Sequence, residues 1–228
     1  MRLKHLIHSE FRFLFKYGII PLYCIFTVLY LCLLAVIPES ERKITATALV
    51  FTDPAAMGLF FMGAVVLFEK SQRVESSLGV SPIKISEYIV AKVLPIMVVG
   101  MIVSLILCLF AGIYDVAYVV IGVAFSSILF SLCALIVGSN IATLNSFMIA
   151  TIPVEVLISL PALLFLFGVL RSHFWILHPG IAAIQLISSE GELWYLSVAS
   201  LIAWIIPAYI VCKKSVAKSF STMGGAKL

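Results

Sequence analysis

Residues Glu69–Lys92 read EKSQRVESSLGVSPIKISEYIVAK. This is the one long polar segment between two long apolar runs, and it carries Glu69, Lys70, Arg73, Glu75, Lys84, Glu87 and Lys92. A polar island of this length, flanked by apolar runs on both sides, is either a solvated loop or a docking surface for a soluble partner. Its surroundings read as membrane.

The chain has 228 residues, of which 63% are hydrophobic and 11% charged; its mean hydropathy is +1.19. A soluble domain carries about a quarter charged residues, so a soluble core does not absorb this composition. A span takes about 20 apolar residues, which leaves room for roughly six after loops. The fold class is all-α: six transmembrane helices, an N-terminal amphipathic interfacial helix and a re-entrant hairpin before the sixth span. Residues 1–228 form a single transmembrane domain. The cysteines (Cys24, Cys32, Cys108, Cys133, Cys212) fall in or at the ends of apolar runs. They have neither metal spacing nor a disulfide framework and read as small buried hydrophobes.

Residues 1–16 place Lys4, His8, Arg12 and Lys16 on one helical face and Leu3, Ile7, Phe11 and Leu14 on another. That pattern predicts an amphipathic helix lying in the membrane interface. The spans are expected at Tyr17–Ile37, Ala48–Phe68, Val93–Ile113, Val116–Gly138, Phe147–Leu170 and Leu193–Val211. Pro38–Thr47 reads as a short polar turn, and Lys213 and Lys214 read as the stop of the sixth span. Asp53-Pro54 is a helix-start signal inside the second run. The fourth span carries small residues four apart (Gly122 and Ser126, Ser127 and Ser131, Ala134 and Gly138), a spacing that lets helices approach closely. Segment 171–192 is too polar to span and too apolar for a free loop. A re-entrant or interfacial hairpin turning at His178-Pro179-Gly180 fits it.

Lys and Arg are split unevenly. Twelve fall on the side holding both termini and the Glu69–Lys92 loop, and three (Arg42, Lys43, Arg171) on the other. The positive-inside rule therefore puts both termini and that loop in the cytoplasm, with the chain in the cell membrane.

No phosphate-binding loop, zinc-protease motif or nucleophile elbow occurs. The chain is not expected to be an enzyme, to hold a metal or cofactor, or to bind nucleic acid. His5, His8, His173 and His178 read as interfacial polar tips. Glu155 falls near the midplane of the fifth span between Pro153 and Pro161, where a carboxylate is costly and must face the bundle interior, a partner or water. It is a candidate substrate contact or a hydrogen-bonded structural group. Each proline removes one helical hydrogen bond, freeing the carbonyls of Ile149 and Leu157. Asp53 and Asn140 are further candidates for a substrate pathway, Asp53 equally for a helix cap at the outer interface. In the polar island, Ser77–Tyr88 reads as helix, turn, helix, broken at Gly79 and restarted at Pro82. It is either a lever for a partner or an ordinary loop with an interfacial helix.

Glu69, then VESSLGVSPIKISEYIVAK (Val74–Lys92), resembles the cytoplasmic loop of the ABC type 2 transporter permeases. There, an acidic residue after the second span (here Glu69 or Glu75) precedes a Leu-x-x-Ser/Thr-Pro turn (Leu78-Gly79-Val80-Ser81-Pro82) and a Lys entering the third span (Lys92). Ile176-Leu177-His178-Pro179 and the proline-rich fifth span resemble the half-size drug-export branch, fluoroquinolone-exporter permeases included. The resemblance implies a bacterial permease that pairs with itself or a second permease, with separate ABC ATPase subunits docked beneath. It also implies a coupling surface at Glu69, Glu75, Leu78, Gly79, Ser81, Pro82, Lys84 and Tyr88, and outward movement of amphiphilic compounds between the paired permeases. Two other classes stay open: a membrane immunity or scaffold protein binding a peptide or lipid, and a proton-coupled carrier using Glu155.

Overall fold

The computed structural model describes residues 2–72, 83–113, 115–170, 172–188 and 193–223. The described residues are helical apart from short turns. The order is α1 (Arg2–Lys16), α2 (Ile19–Val36), α3 (Glu39–Pro54), a π-helical segment (Ala55–Phe61), α4 (Met62–Ser71), α5 (Ile85–Ala111), α6 (Val116–Asn140), α7 (Leu144–Leu166), a 3-10 turn (His173–Leu177), α8 (Pro179–Ser188) and α9 (Trp194–Met223). Six of these units are long and apolar enough to cross a membrane, counting Glu39–Ser71 as one.

Two units form the inside of the bundle. Glu39–Ser71 and α6 are the most buried of the six, whereas α2, α7 and α9 leave most of their apolar surface outward. Small residues let the inner pair close up. A Cβ on Gly58 would meet Ser131, one on Gly138 would meet Val66, and one on Gly122 would meet Leu186 and Ile187 of α8. In a bilayer, where lipid is as apolar as leucine, such close approach is the main source of helix association.

The second span differs from the expectation. Pro38–Thr47 is not a turn: α3 begins at Glu39, with Pro38 as its N-cap residue and Glu39 and Glu41 in its first turn. Acidic residues there complement the helix dipole. Arg42 reaches back to the carbonyls of Leu34 and Ile37 at the end of α2. The resulting rod of 33 residues is about 50 Å long at 1.5 Å per residue. Asp53 is therefore inside a helix and caps nothing. Pro54 deprives the Val50 carbonyl of its partner, and the π segment absorbs the irregularity. Helix persists because both halves bury apolar side chains, Ala46, Val50 and Phe51 before the break and Met57, Leu59 and Met62 after it.

The basic pair Lys213-Lys214 does not stop the last span. α9 runs on to Met223, burying Cys212, Val216 and Ser219 while both lysines stay exposed. All five cysteines are free.

Candidate functional site

At the end of the bundle where α1, α4 and α5 meet, one buried ion cluster joins three segments distant in sequence. α5 starts at Ile85, set by a capping box in which the Lys84 amide donates to Glu87 (3.0 Å). From that start, Tyr88, Ile89, Lys92 and Ile96 fall on one buried face. The side chain of Lys92 is only 1% exposed. Its ammonium donates to Glu10 at 2.8 Å and to Glu69, and lies 5.6 Å from the Phe13 ring centre. The Tyr88 hydroxyl donates to the other oxygen of Glu69 (3.2 Å).

Aromatic packing surrounds the cluster. Phe13, Tyr17 and Phe68 form a three-ring group with centroids 4.3 to 6.0 Å apart, and Tyr88 meets Phe220 of α9 edge-on at 5.2 Å. Two carboxylates share one ammonium. Burial pushes the Glu10 carboxyl above its ordinary value; Lys92 pulls the other way, and Glu69 adds to the rise. Glu10 was not among the expected residues, although it is the single acid in the otherwise basic segment 1–16. A lone acid falling beside Leu3 and Leu14, on the apolar rather than the basic face of the helix, was the signal.

Of the coupling-surface residues, Glu69 and Tyr88 sit in this cluster and Lys84 caps α5. Glu75, Leu78, Gly79, Ser81 and Pro82 lie outside the described residues. The expected short second helix reaching Tyr88 is corrected in its described part: Ile85–Tyr88 is the start of α5, which runs unbroken to Ala111.

Asn140 is placed at the same end of the bundle. Its amide donates to the Ile136 carbonyl (2.7 Å) and to the Ser215 hydroxyl (2.6 Å). Lys70 donates to the carbonyls of Ser139 and Ile141, so α4, α6 and α9 are tied together beneath the spans.

Glu155 is on α7, half-buried, beside an inner stripe of buried Phe147, Thr151, Ser159 and Ala162. One of its oxygens is enclosed with no hydrogen-bond partner among the described residues. The carbonyl of Leu157, released by Pro161, has a partner: His178 Nε2 approaches it at 2.9 Å. A carbonyl only accepts, so this nitrogen carries the proton. Trp204 donates to the Leu177 carbonyl (2.9 Å). Beside this corner, α6, α7 and α9 line a half-open apolar cavity of about 500 Å³, with Leu129, Val154, Leu157, His178, Trp204 and Pro207 among its walls. Asp53 is buried in the middle of the rod, with neither carboxylate oxygen partnered among the described residues.

A bundle with six units long and apolar enough to cross a membrane is the architecture of a multi-pass membrane protein. Residues 1–218 match the fluoroquinolones export permease protein family, and the chain belongs to it. Relatives include the fluoroquinolones export permease proteins of Mycobacterium tuberculosis strains CDC 1551 and H37Rv. Each is 24% identical over 193 residues, covering 81% of this chain and 76% of the relative. No solved structure matches the chain.

Proposed function

We propose that this chain is the membrane subunit of an ATP-driven ABC exporter that moves amphiphilic, drug-like compounds outward, with ATP hydrolysed by a separate subunit. Family membership supports the export role, and the relatives' names suggest fluoroquinolone-like compounds as the substrate class. The observation that carries the coupling is the Glu10–Lys92–Glu69 cluster. Residues 73–82 join α4 to α5 in the chain, and the cluster clamps these two helices to each other and to α1. A partner pushing on the connection would move three helices as one unit.

In this reading both termini and residues 69–92 face the cytoplasm, and α1 lies in the membrane interface as an elbow. Its exposed side carries Lys4, Arg12 and Lys16, suited to anionic lipid. Segment 171–192 is the outer re-entrant element. The outward apolar faces of α2 and α7 suit a second permease copy, and substrate would pass near Glu155, Asp53 and Asn140. The apolar cavity at the His178 corner suits the hydrophobic body of such a compound.

The test is copurification of the tagged chain from its native membrane. An ATPase subunit should come with it, and the reconstituted complex should hydrolyse ATP faster when substrate is added. Pro82→Ala and Glu75→Lys should abolish that stimulation with the complex intact. No ATPase partner, or unchanged stimulation in both variants, rejects the coupling assignment.

A further inference from the structure

Asp53 is the most thoroughly enclosed acid of the described chain: the residue is 2% exposed and both oxygens lack a hydrogen-bond donor among the described residues. It lies 14 residues from Glu39 and 18 from Ser71, about 21 and 27 Å along the rod, which is mid-membrane. Among the described residues, no compensating charge faces it from the elements packed on α3. At membrane depth, α2, α6 and α8 carry no Lys, Arg, Asp or Glu, and the charges of α5 (Glu87 and Lys92) sit in its first turns. α7 contributes only Glu155, another acid; the remaining titratable groups on these elements are Tyr23, Cys24, Tyr30, Cys32, Tyr88, Cys108, Tyr118 and Cys133, with His178 just before α8. An ionised carboxylate without donor or cation in such a place is strongly disfavoured, and one proton removes the charge.

Two further features bear on whether that proton is sealed in. Asp53 precedes a break, Pro54 and the π segment, and such segments in helices are common at functional sites. Asp53 also lies in the chain between Phe51, whose ring packs on Phe130 (6.5 Å), and Gly58, which abuts Ser131. On that stretch of α6, the hydroxyls of Ser127 and Ser131 are buried and, like Asp53, unpartnered among the described residues. They are one helical turn apart, a step of about 6 Å toward the basic end.

We propose that Asp53 is a proton-binding site: a carboxylic acid at the centre of the bundle whose proton exchanges with water through the Pro54–π break and the Ser127–Ser131 hydroxyls.

The test is infrared spectroscopy of the full chain in lipid nanodiscs, without any ATPase, so its outcome is independent of the coupling assignment. The chain has two aspartates, Asp53 and Asp115. Labelling with heavy-carbon aspartate therefore isolates the signal in the unmutated protein, even if variants at position 53 fail to fold. A protonated carboxyl band at neutral pH should shift with the label, shift in deuterated water and fade at alkaline pH. It should be lost in Asp53→Asn and retained in Glu155→Gln. Ser127→Ala with Ser131→Ala should slow its deuterium exchange at least several-fold. A label-sensitive band that survives Asp53→Asn, no such band at neutral pH, or a band indifferent to both deuterium and pH would overturn the proposal.

Discussion

The ammonium of Lys92 lies 2.8 Å from both carboxylate oxygens of Glu10, a residue 82 positions earlier in the chain. This contact ties the first helix into the bundle. It also sets the clearest stability prediction. Lys92→Met leaves Glu10 and Glu69 buried together without a cation, and breaking a buried pair in this way costs about 3–5 kcal/mol. Thermal unfolding in detergent should show a large drop. Glu10→Gln keeps a hydrogen-bond acceptor beside Lys92 and leaves the Lys92–Glu69 pair intact, so it should cost about 1 kcal/mol or less.

The same cluster should respond to pH. Burial raises the Glu10 carboxyl above its ordinary range, Lys92 opposing without cancelling. The folded chain then holds that proton more tightly than the unfolded chain. The contribution to stability is complete below the ordinary carboxylate range and is lost as pH rises through the raised value. A melting series across mildly acid to neutral pH should show a downward step in the wild type. That step should vanish in Glu10→Gln.

Gly180 governs how α8 seats on α7. A Cβ there would overlap the Ile158 carbonyl and crowd Ala162 Cβ at 2.9 Å. Because a backbone atom is in the way, no side-chain rotation relieves the clash. Gly180→Ala should destabilise by about 1–3 kcal/mol and disturb the neighbouring His178–Leu157 contact. By contrast the Cβ of Gly138→Ala is tight only against a Val66 methyl at 3.2 Å, its other neighbours lying at ordinary contact distance, and the change should cost less in the same assay.

Glu155 separates two roles through one substitution. Glu155→Gln keeps size and hydrogen-bonding capacity and removes the charge. As a substrate contact, its loss should reduce export of cationic amphiphiles by roughly tenfold, about 1.4 kcal/mol of attraction, with neutral compounds unaffected. Equal reduction for both, or none for either, would make it a packed polar group of α7.

Orientation is open to direct labelling. With both termini in the cytoplasm, a cysteine at Ser40 should react with an impermeant reagent in intact cells, and one at Ser86 only after lysis. Labelling of Ser86 from outside would reverse the bundle.

Composition and hydropathy alone were enough for the number of spans, because each crossing must satisfy its backbone within itself and so declares itself as a long apolar run. Residues 1–16 declared a helix for a similarly local reason: charged and apolar positions alternate with its period. Where local signals and packing disagreed, packing won. Asp53-Pro54 looks like a helix start, and Lys213-Lys214 looks like a stop. Yet helix continues through both, since the residues beyond them bury apolar surface against α6 and its neighbours. The partnership of Glu10, Glu69 and Lys92 depends on three helices meeting at one corner, which no spacing along the chain encodes. The capture of the Leu157 carbonyl by His178, 21 residues on, was half visible. Pro161 announced that a carbonyl would be free, and only the tertiary structure decided what would reach it.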